Sequence, residues 1–458
     1  MKPITMTYIG GGSRQWARAL FSDLALEPAL SGTVRLYDID HHAALDNVKL
    51  ATKMMEETDT PTRWTFEASE SLDASLKDAD FVFISILPGT FEAMSHYVHG
   101  PEAYGVYQSV GDTAGPAGIF RSLIMMPLYE RIAKAIERVS PSAWVINFTN
   151  PMTMCVQTLY HVFPKIKAFG NCHEVFFVQK ILARALKEET GLEVPYHDIT
   201  INPKGINHFT WIDQASYKDI DLMPLYARFA KKYHQEGVHG EDWVHVGPFG
   251  SAERVKLDLT LKHGQIAAAG DRHLVEFLPQ ELYLKDLETI EAWRFYLTPV
   301  ALRVAQQQAR SAEAKAMIEG HSPIHLSPSG EEGIAQVKAL LGMGEIITNV
   351  NVPNMGQIPN LPLGHVVETN AVFRFNEVRP VYAGALEGTP GLLTLEHTNI
   401  HQLLLKAFDE RKLSYAYEAL EMDPLTKHLD ASTRRVMFDD IQASLAPFLT
   451  HYTNDLER

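Results

Sequence analysis

The chain has 458 residues, 46% of apolar and 21% of charged types, which is enough apolar material for a large buried core and a length that suits two or three domains. Lys and Arg number 41 against 56 Asp and Glu, and the resulting formal charge of −15 gives no electrostatic footprint for a phosphate backbone or an anionic lipid surface. No apolar run approaches the ~18 residues of a membrane span, so neither nucleic acid nor membrane is an expected partner.

The segment from Ile4 to Tyr8 is β-prone and runs into Gly10, Gly11, Gly12 and Ser13, after which Trp16, Leu20 and Leu24 recur at helical spacing. Val34 to Asp38 reads as a strand ending in a carboxylate, followed by a helix-like stretch to about Glu57, and Phe81 to Leu87 is an apolar run suited to a buried parallel strand. A helix from about Gly118 to Arg138, a strand at Trp144 to Asn147, a helix after Pro151 and a strand near Lys167 to Gly170 continue the alternation. It predicts a Rossmann-type, doubly wound parallel α/β sheet over residues 1–195. Beyond Pro195 a β-prone stretch, Ile206 to Ile212, leads into long helical patterns mixed with short strands, so residues 196–458 read as an α+β domain. Gly and Pro cluster between Asn351 and Gly364, where an ordered loop is expected, and the chain is helix-like from Ser432 to Leu456. Only Cys155 and Cys172 occur, and no basic and apolar leader precedes the first strand, so the expected location is the cytoplasm, with reduced thiols.

Several polar groups stand where packing does not ask for them. Gly10 and Gly12 allow the backbone to turn tightly beside a pyrophosphate at the N-terminus of the next helix, and Asp38 suits the ribose hydroxyls of NAD. Gln15 occupies the place of the third glycine of G-x-G-x-x-G, so an ordinary strand-to-helix turn competes with this reading. Cys172 precedes the helix-like stretch Phe176 to Leu186, a setting that lowers a thiol pKa, and His208 lies in a β-prone segment at the domain junction. A thiolate and an imidazole suit a borderline-soft divalent ion with open positions, although a lone His on an apolar stretch is more often a core residue. The glycine-rich turn Gly111 to Gly118 carries Asp112 and is followed by Arg121, and Asn150 stands beyond a strand end, where open α/β sheets bind ligands. The competing readings are a turn leading into a helix and an Asn-Pro turn.

Assembled in order, these segments resemble glycoside hydrolase family 4, the NAD- and manganese-dependent glycosidases that share a fold with lactate and malate dehydrogenases. The resemblance rests on GGGS, LYDID, GDTAGPAGIFRSL, NFTNPM, Cys172-His173-Glu174-Val175, GINHFTW, GDRHLVEFLP, NVPNMGQIPNLP and EMDPLT. It implies Cys172 and His208 as metal ligands, Asp112 and Asn150 beside the sugar hydroxyls, His173 as general acid and Asp271 as the base at sugar C2. The implied reaction is hydride transfer from sugar C3 to NAD, C2 deprotonation, elimination, addition of water and return of the hydride. Residues after Cys172 differ from those of relatives acting on 6-phosphoglycosides, and His173-Glu174-Val175 looks most like the α-galacturonidase subgroup. A uronate needs a local cation against the charge of −15, and Arg121 and Arg272 are the expected partners, with Glu174 orienting a neighbouring group. The alternatives are an α-galactosidase or α-glucosidase of the same family, an NAD-dependent dehydrogenase, and a silent NAD-binding sensor. Relatives of the fold suggest a homodimer or homotetramer.

Overall fold

The computed structural model describes residues 3–57, 63–245 and 247–456. Its first half contains β1 (Ile4–Ile9), β2 (Ser31–Tyr37), β3 (Arg63–Ser69), β4 (Phe81–Ile84), β5 (Trp144–Asn147) and β6 (Lys167–Gly170), all paired in parallel in the order β3-β2-β1-β4-β5-β6. Alternating side chains of one strand point to opposite faces. Accordingly Phe81 and Phe83 of β4 enter one apolar cluster with Met6, Tyr8 and Ile146, while Val82 and Ile84 enter another with Ile9 and Val145. Burial on both faces is why the strands read as continuous apolar runs. This is the expected doubly wound sheet. The sequence reading lacked β3, although Trp64, Phe66 and Ala68 alternate along it.

The second half adds β7 (Thr200–Ile206), β8 (Phe209–Tyr217), β9 (Ile220–Asp221), β10 (Ile266–Ala267), β11 (Ile346–Pro353), β12 (Val366–Arg374) and β13 (Glu377–Pro380). These strands pair antiparallel and extend the same sheet, joined to it where Asn351 of β11 meets Gly170 of β6. The sheet is therefore continuous across the expected boundary at 195/196. In addition, the helix Gly333–Leu340 sends Ile334, Val337 and Leu340 into the cluster that holds Phe83 and Ile146.

Three local expectations change. Ile206 to Ile212 is a hairpin and not one strand: Ile206 pairs with Phe209, so Asn207 and His208 form the turn, with His208 at φ +65°. Asn and His tolerate this left-handed backbone better than β-branched residues do. Strand β11 takes the start of the Gly- and Pro-rich stretch, and the remaining loop is ordered around Asn354, whose Nδ2 donates to the carbonyls of Ile358 and Leu361 at 2.9 Å each. The C-terminal helix is Ala431–Ser444, capped by Asp430 and followed by a short 3-10 turn, Ala446–Phe448. Among the described residues no helix is long and apolar enough to cross a membrane.

Candidate active site

The loop after β1 sits at the carboxyl ends of β1 and β4, where the order of the sheet reverses. The N–H groups of Gly10 and Gly11 both donate to the Tyr37 carbonyl at 2.9 Å, folding the loop back on β2. Gly10 has φ +93°, and a Cβ there would lie 2.0 Å from the Ser85 carbonyl oxygen, so only glycine fits. The Gly12 N–H donates to Asp38 Oδ2 at 2.8 Å, and Asp38 Oδ1 accepts from the Asp40 N–H at 2.9 Å. Asn47 closes the loop from behind, donating to the carbonyls of Gly11 and Ser13 at 2.7 and 2.9 Å. Ser13 Oγ accepts from the Trp16 N–H at 3.1 Å, at the start of the helix Trp16–Leu26. The loop thus brings together Gly10, Gly11, Gly12, Ser13 and Asp38.

The turn Gly111 to Gly118 meets the β7–β8 hairpin at a polar cluster. Ligand atoms of Asp112, His208 and His273 lie within 4.8 Å of one another, and the two imidazole rings stand 3.7 Å apart between centroids. Thr113 fixes the tautomer: its hydroxyl donates to Asp112 Oδ1 at 2.7 Å and lies 2.9 Å from His208 Nδ1. A hydroxyl has one proton, so Nδ1–H of His208 donates to it and Nε2 keeps its lone pair. Burial, with His273 adding, pushes His208 down to about 3. Burial alone would raise the Asp112 carboxyl, but His273, His208, Arg121 and Arg303 outweigh it and hold the acid well below the usual range. An ionised carboxylate beside neutral imidazoles is the protonation state that a divalent cation requires of its ligands. Asn150 Nδ2 donates to Asp112 Oδ2 at 3.2 Å, while Asn150 Oδ1 and His273 Nδ1 are buried with no partner, so the cluster has polar groups left to offer a ligand. The donor set fits a divalent ion.

The thiol of Cys172, the other ligand the sequence suggested, is not among the ligand atoms that meet here; it hydrogen-bonds Asn207, next to His208, and faces Glu174 and Glu368. The expected lowering of its pKa does not hold in the metal-free chain, because burial and the two carboxylates push the thiol well up, beyond what the N-terminus of the helix Glu174–Thr190 offsets. His173, half-exposed, places Nδ1 2.9 Å from Glu331 Oε1, and its ring lies 6.1 Å from that of Trp16 beside the glycine loop. The hydrogen bond to Glu331 raises the His173 pKa against the effect of burial. Glu174 Oε2 accepts from the Gly270 N–H at 2.8 Å; burial would raise its carboxyl, but His273, His208, His173 and that N–H lower it to about 2.

Family models match most of the chain: family 4 glycosyl hydrolase over residues 5–188, and its C-terminal domain over residues 204–426. An α-galacturonidase of Thermoanaerobacterium saccharolyticum is 52% identical over 426 residues, covering 92% of this chain and 91% of that one. The chain belongs to family 4 of the glycosyl hydrolases. A second family relative, an α-galacturonidase of Bacillus subtilis, is 45% identical over 441 residues, 96% of each chain. The crystal structure of lplD from Bacillus subtilis superposes with a TM-score of 0.91 at 44% identity, covering 96% of this chain and 99% of that one. A 6-phospho-α-glucosidase from gut microorganisms, solved with NAD and Mn2+, shares the fold, with a TM-score of 0.81 at 19% identity over 98% of this chain and 99% of that one.

Three residues expected in the site make other contacts. Asp271, fully buried, accepts from the N–H groups of Val255 and Lys256 at 3.1 and 2.9 Å, so its carboxyl caps the helix Arg254–His263 and does not join His208 and His273. Asp271 itself begins the short helix Asp271–Leu274. Burial and the Glu253 carboxylate push Asp271 up to about 8. Arg272 donates to the carbonyls of Tyr296, Phe249 and Ser109 at 2.8, 3.0 and 2.6 Å, which ties three loops together and leaves each guanidinium nitrogen engaged. Arg121 donates through Nε to the Asn150 carbonyl at 2.9 Å and through Nη1 to the Tyr97 hydroxyl at 3.1 Å, which makes it a support for Asn150. Sequence reasoning missed His273, Glu331 and Arg303. His273 carried a signal: at helical geometry, positions two apart face opposite ways, so Asp271 and His273 could not both point into the site.

Proposed function

We propose that the protein hydrolyses α-galacturonides and that NAD and a divalent cation such as Mn2+ are its bound cofactors. The observation that carries this reading is the identity of 45–52%, over more than nine-tenths of the chain, to four α-galacturonidases. Geometry supports it at two places. The Gly10–Ser13 loop and Asp38 offer a dinucleotide-shaped cradle, and Asp112, His208 and His273 offer a cation site, with Cys172 completing the set on deprotonation. When bound, NAD and the cation supply reversible hydride acceptance at sugar C3 and the acidification of the neighbouring C2–H that makes elimination feasible.

The chain's own residues then hold and orient. Asn150, supported by Arg121, presents its free Oδ1 to a sugar hydroxyl. Thr113 keeps His208 in one tautomer. His173, whose hydrogen bond to Glu331 favours its protonated form, stands beside the glycine loop on the open side of the site, able to hold the proton that the departing oxygen needs. Asp271 is retained as a positioning residue, because its carboxyl anchors the helix Arg254–His263 against the short helix that carries His273. The proposal includes a cytoplasmic, homo-oligomeric enzyme, in keeping with two free, buried cysteines.

The test is a panel of nitrophenyl α-glycosides (galacturonide, galactoside, glucoside and 6-phosphoglucoside) assayed with catalytic NAD and Mn2+. The expected result is a highest kcat/KM on the galacturonide with no accumulating NADH. Preference for the neutral galactoside would return the protein to the α-galactosidase group, and stoichiometric NADH would make it a dehydrogenase.

A further inference from the structure

We propose that Arg303 is the specificity-determining residue that receives the sugar carboxylate, a proposal that rests on the galacturonide reading above. The physical need is clear. A uronate entering a chain of formal charge −15 meets long-range repulsion, and burying its carboxylate requires a hydrogen-bonded cationic partner at the site itself. A planar guanidinium answers that need best, because its fork matches two carboxylate oxygens at once.

Three arginines and one lysine are the buried or half-buried cations to be considered, and their contacts separate them. Arg272 spends Nε, Nη1 and Nη2 on three carbonyls. Arg121 spends Nε and Nη1 on Asn150 and Tyr97. Lys256 lies 3.0 Å from Glu253 and is fully buried behind the site. Arg303 differs: its one hydrogen bond among the described residues runs from Nη2 to the Val110 carbonyl at 3.3 Å, long for a charged donor, and its Nε is buried with no partner. The Nη1 end of the fork has no protein acceptor among the described residues. A guanidinium left so poorly paired is costly unless a ligand completes it.

Its surroundings aim it at the substrate. Arg303 lies on the first turn of the helix Val300–Glu319, partly accessible, with its guanidinium over the Phe249 ring at 5.7 Å from the centroid. Asp112 and Glu276 are the carboxylates that face it, and Arg121 and Tyr97 stand alongside. Glu276 accepts from the N–H groups of Val110 and Gly111 through Oε1, at 2.6 and 2.9 Å, and its Oε2 is buried with no partner, while both oxygens of Asp112 are engaged by Thr113 and Asn150. A sugar placed with its hydroxyls toward Asp112 and Asn150 has an unsatisfied cation at the edge of its binding site, and C6 is the only position at which a galacturonide differs from a galactoside.

The experiment compares wild type with Arg303→Lys and Arg303→Met, both of which keep a long apolar stem over Phe249, measuring kcat/KM on nitrophenyl α-galacturonide and nitrophenyl α-galactoside with NAD and Mn2+, thermal midpoints, and binding of free galacturonate by calorimetry. The expected result is a fall of the uronide-to-galactoside ratio by roughly 100-fold in Arg303→Met, carried mainly by KM, with a smaller fall in Arg303→Lys, and weaker galacturonate binding in both. A ratio that stays within threefold of wild type overturns the assignment, as does an equal loss on both substrates. If wild type itself prefers the galactoside, it is the galacturonide reading that has failed, and the variant ratio then says nothing in its favour.

Discussion

Replacing Arg272 separates a structural clasp from a substrate contact. The residue is 6% exposed, and burial pushes its guanidinium down only to about 10, so it is charged at neutral pH. It donates to three carbonyls in segments far apart in the chain: Ser109 before the Asp112 turn, Phe249, and Tyr296. A hydrogen bond from a charged group contributes about 1.5–3 kcal/mol. Three that share one side chain are not additive, so Arg272→Met, which keeps the stem and removes the fork, should cost about 3–5 kcal/mol, less than the sum of the three bonds. Urea unfolding monitored by tryptophan fluorescence reads this as a lower midpoint at unchanged slope. With Nε, Nη1 and Nη2 each already held by a carbonyl, the ratio of kcat/KM between galacturonide and galactoside should stay within about threefold of wild type in the folded fraction. A variant with wild-type stability and a ratio reduced tenfold or more would refute the clasp and restore Arg272 as the carboxylate partner.

Asp271→Asn should lower stability by roughly 0.5–2 kcal/mol, as loss of a helix cap does, while the C2 hydrogen of substrate still exchanges with solvent deuterium; exchange abolished at unchanged stability would make Asp271 the base. Asp423 accepts from Gly115 and Leu425 N–H groups, yet burial raises it from 3.8 to about 7. The folded chain therefore holds this proton more tightly than the unfolded chain. The stability it contributes is complete below about pH 4 and is lost as pH rises toward 7, at no more than about 1.4 kcal/mol per pH unit. Asp423→Asn should flatten that window in urea midpoints taken from pH 4.5 to 7.5, and an unchanged slope would contradict the assignment. Because the Cys172 thiol is held protonated, Mn2+ binding should release a proton, seen as a buffer-dependent calorimetric enthalpy. Cys172→Ser should bind without that release and His208→Ala should bind at least tenfold more weakly; a wild-type enthalpy independent of buffer would remove Cys172 from the ligand set.

Much of the fold was legible because parallel strands buried on both faces announce themselves as apolar runs, and because the glycine loop and Asp38 punctuate the first two of them. Strand β3 was less visible, since its alternating pattern is short and sits between polar segments. His208 was found but mislocated: nothing in Asn207-His208 carries the Gly signal of a tight hairpin, and the turn shows only in the pairing of Ile206 with Phe209. The site itself was half legible. Asp112, Asn150, Cys172, His173 and His208 lie in motifs, whereas Glu331 and Arg303 come from stretches with no motif and reach the site only through tertiary packing. Asp271 shows the limit from the other side, because a carboxylate in a family motif gave no hint that the N-terminus of another helix would take both of its oxygens.

The most direct test of the proposed chemistry is mass spectrometric: hydrolyse an α-galacturonide in D2O with Mn2+ and NAD at one-hundredth of the substrate concentration, and locate deuterium in the released galacturonate. The expected result is complete turnover with one deuterium at C2 and no net NADH, as transient oxidation at C3 requires. Complete hydrolysis with hydrogen retained at C2, or turnover that stops when NAD is exhausted, would contradict it.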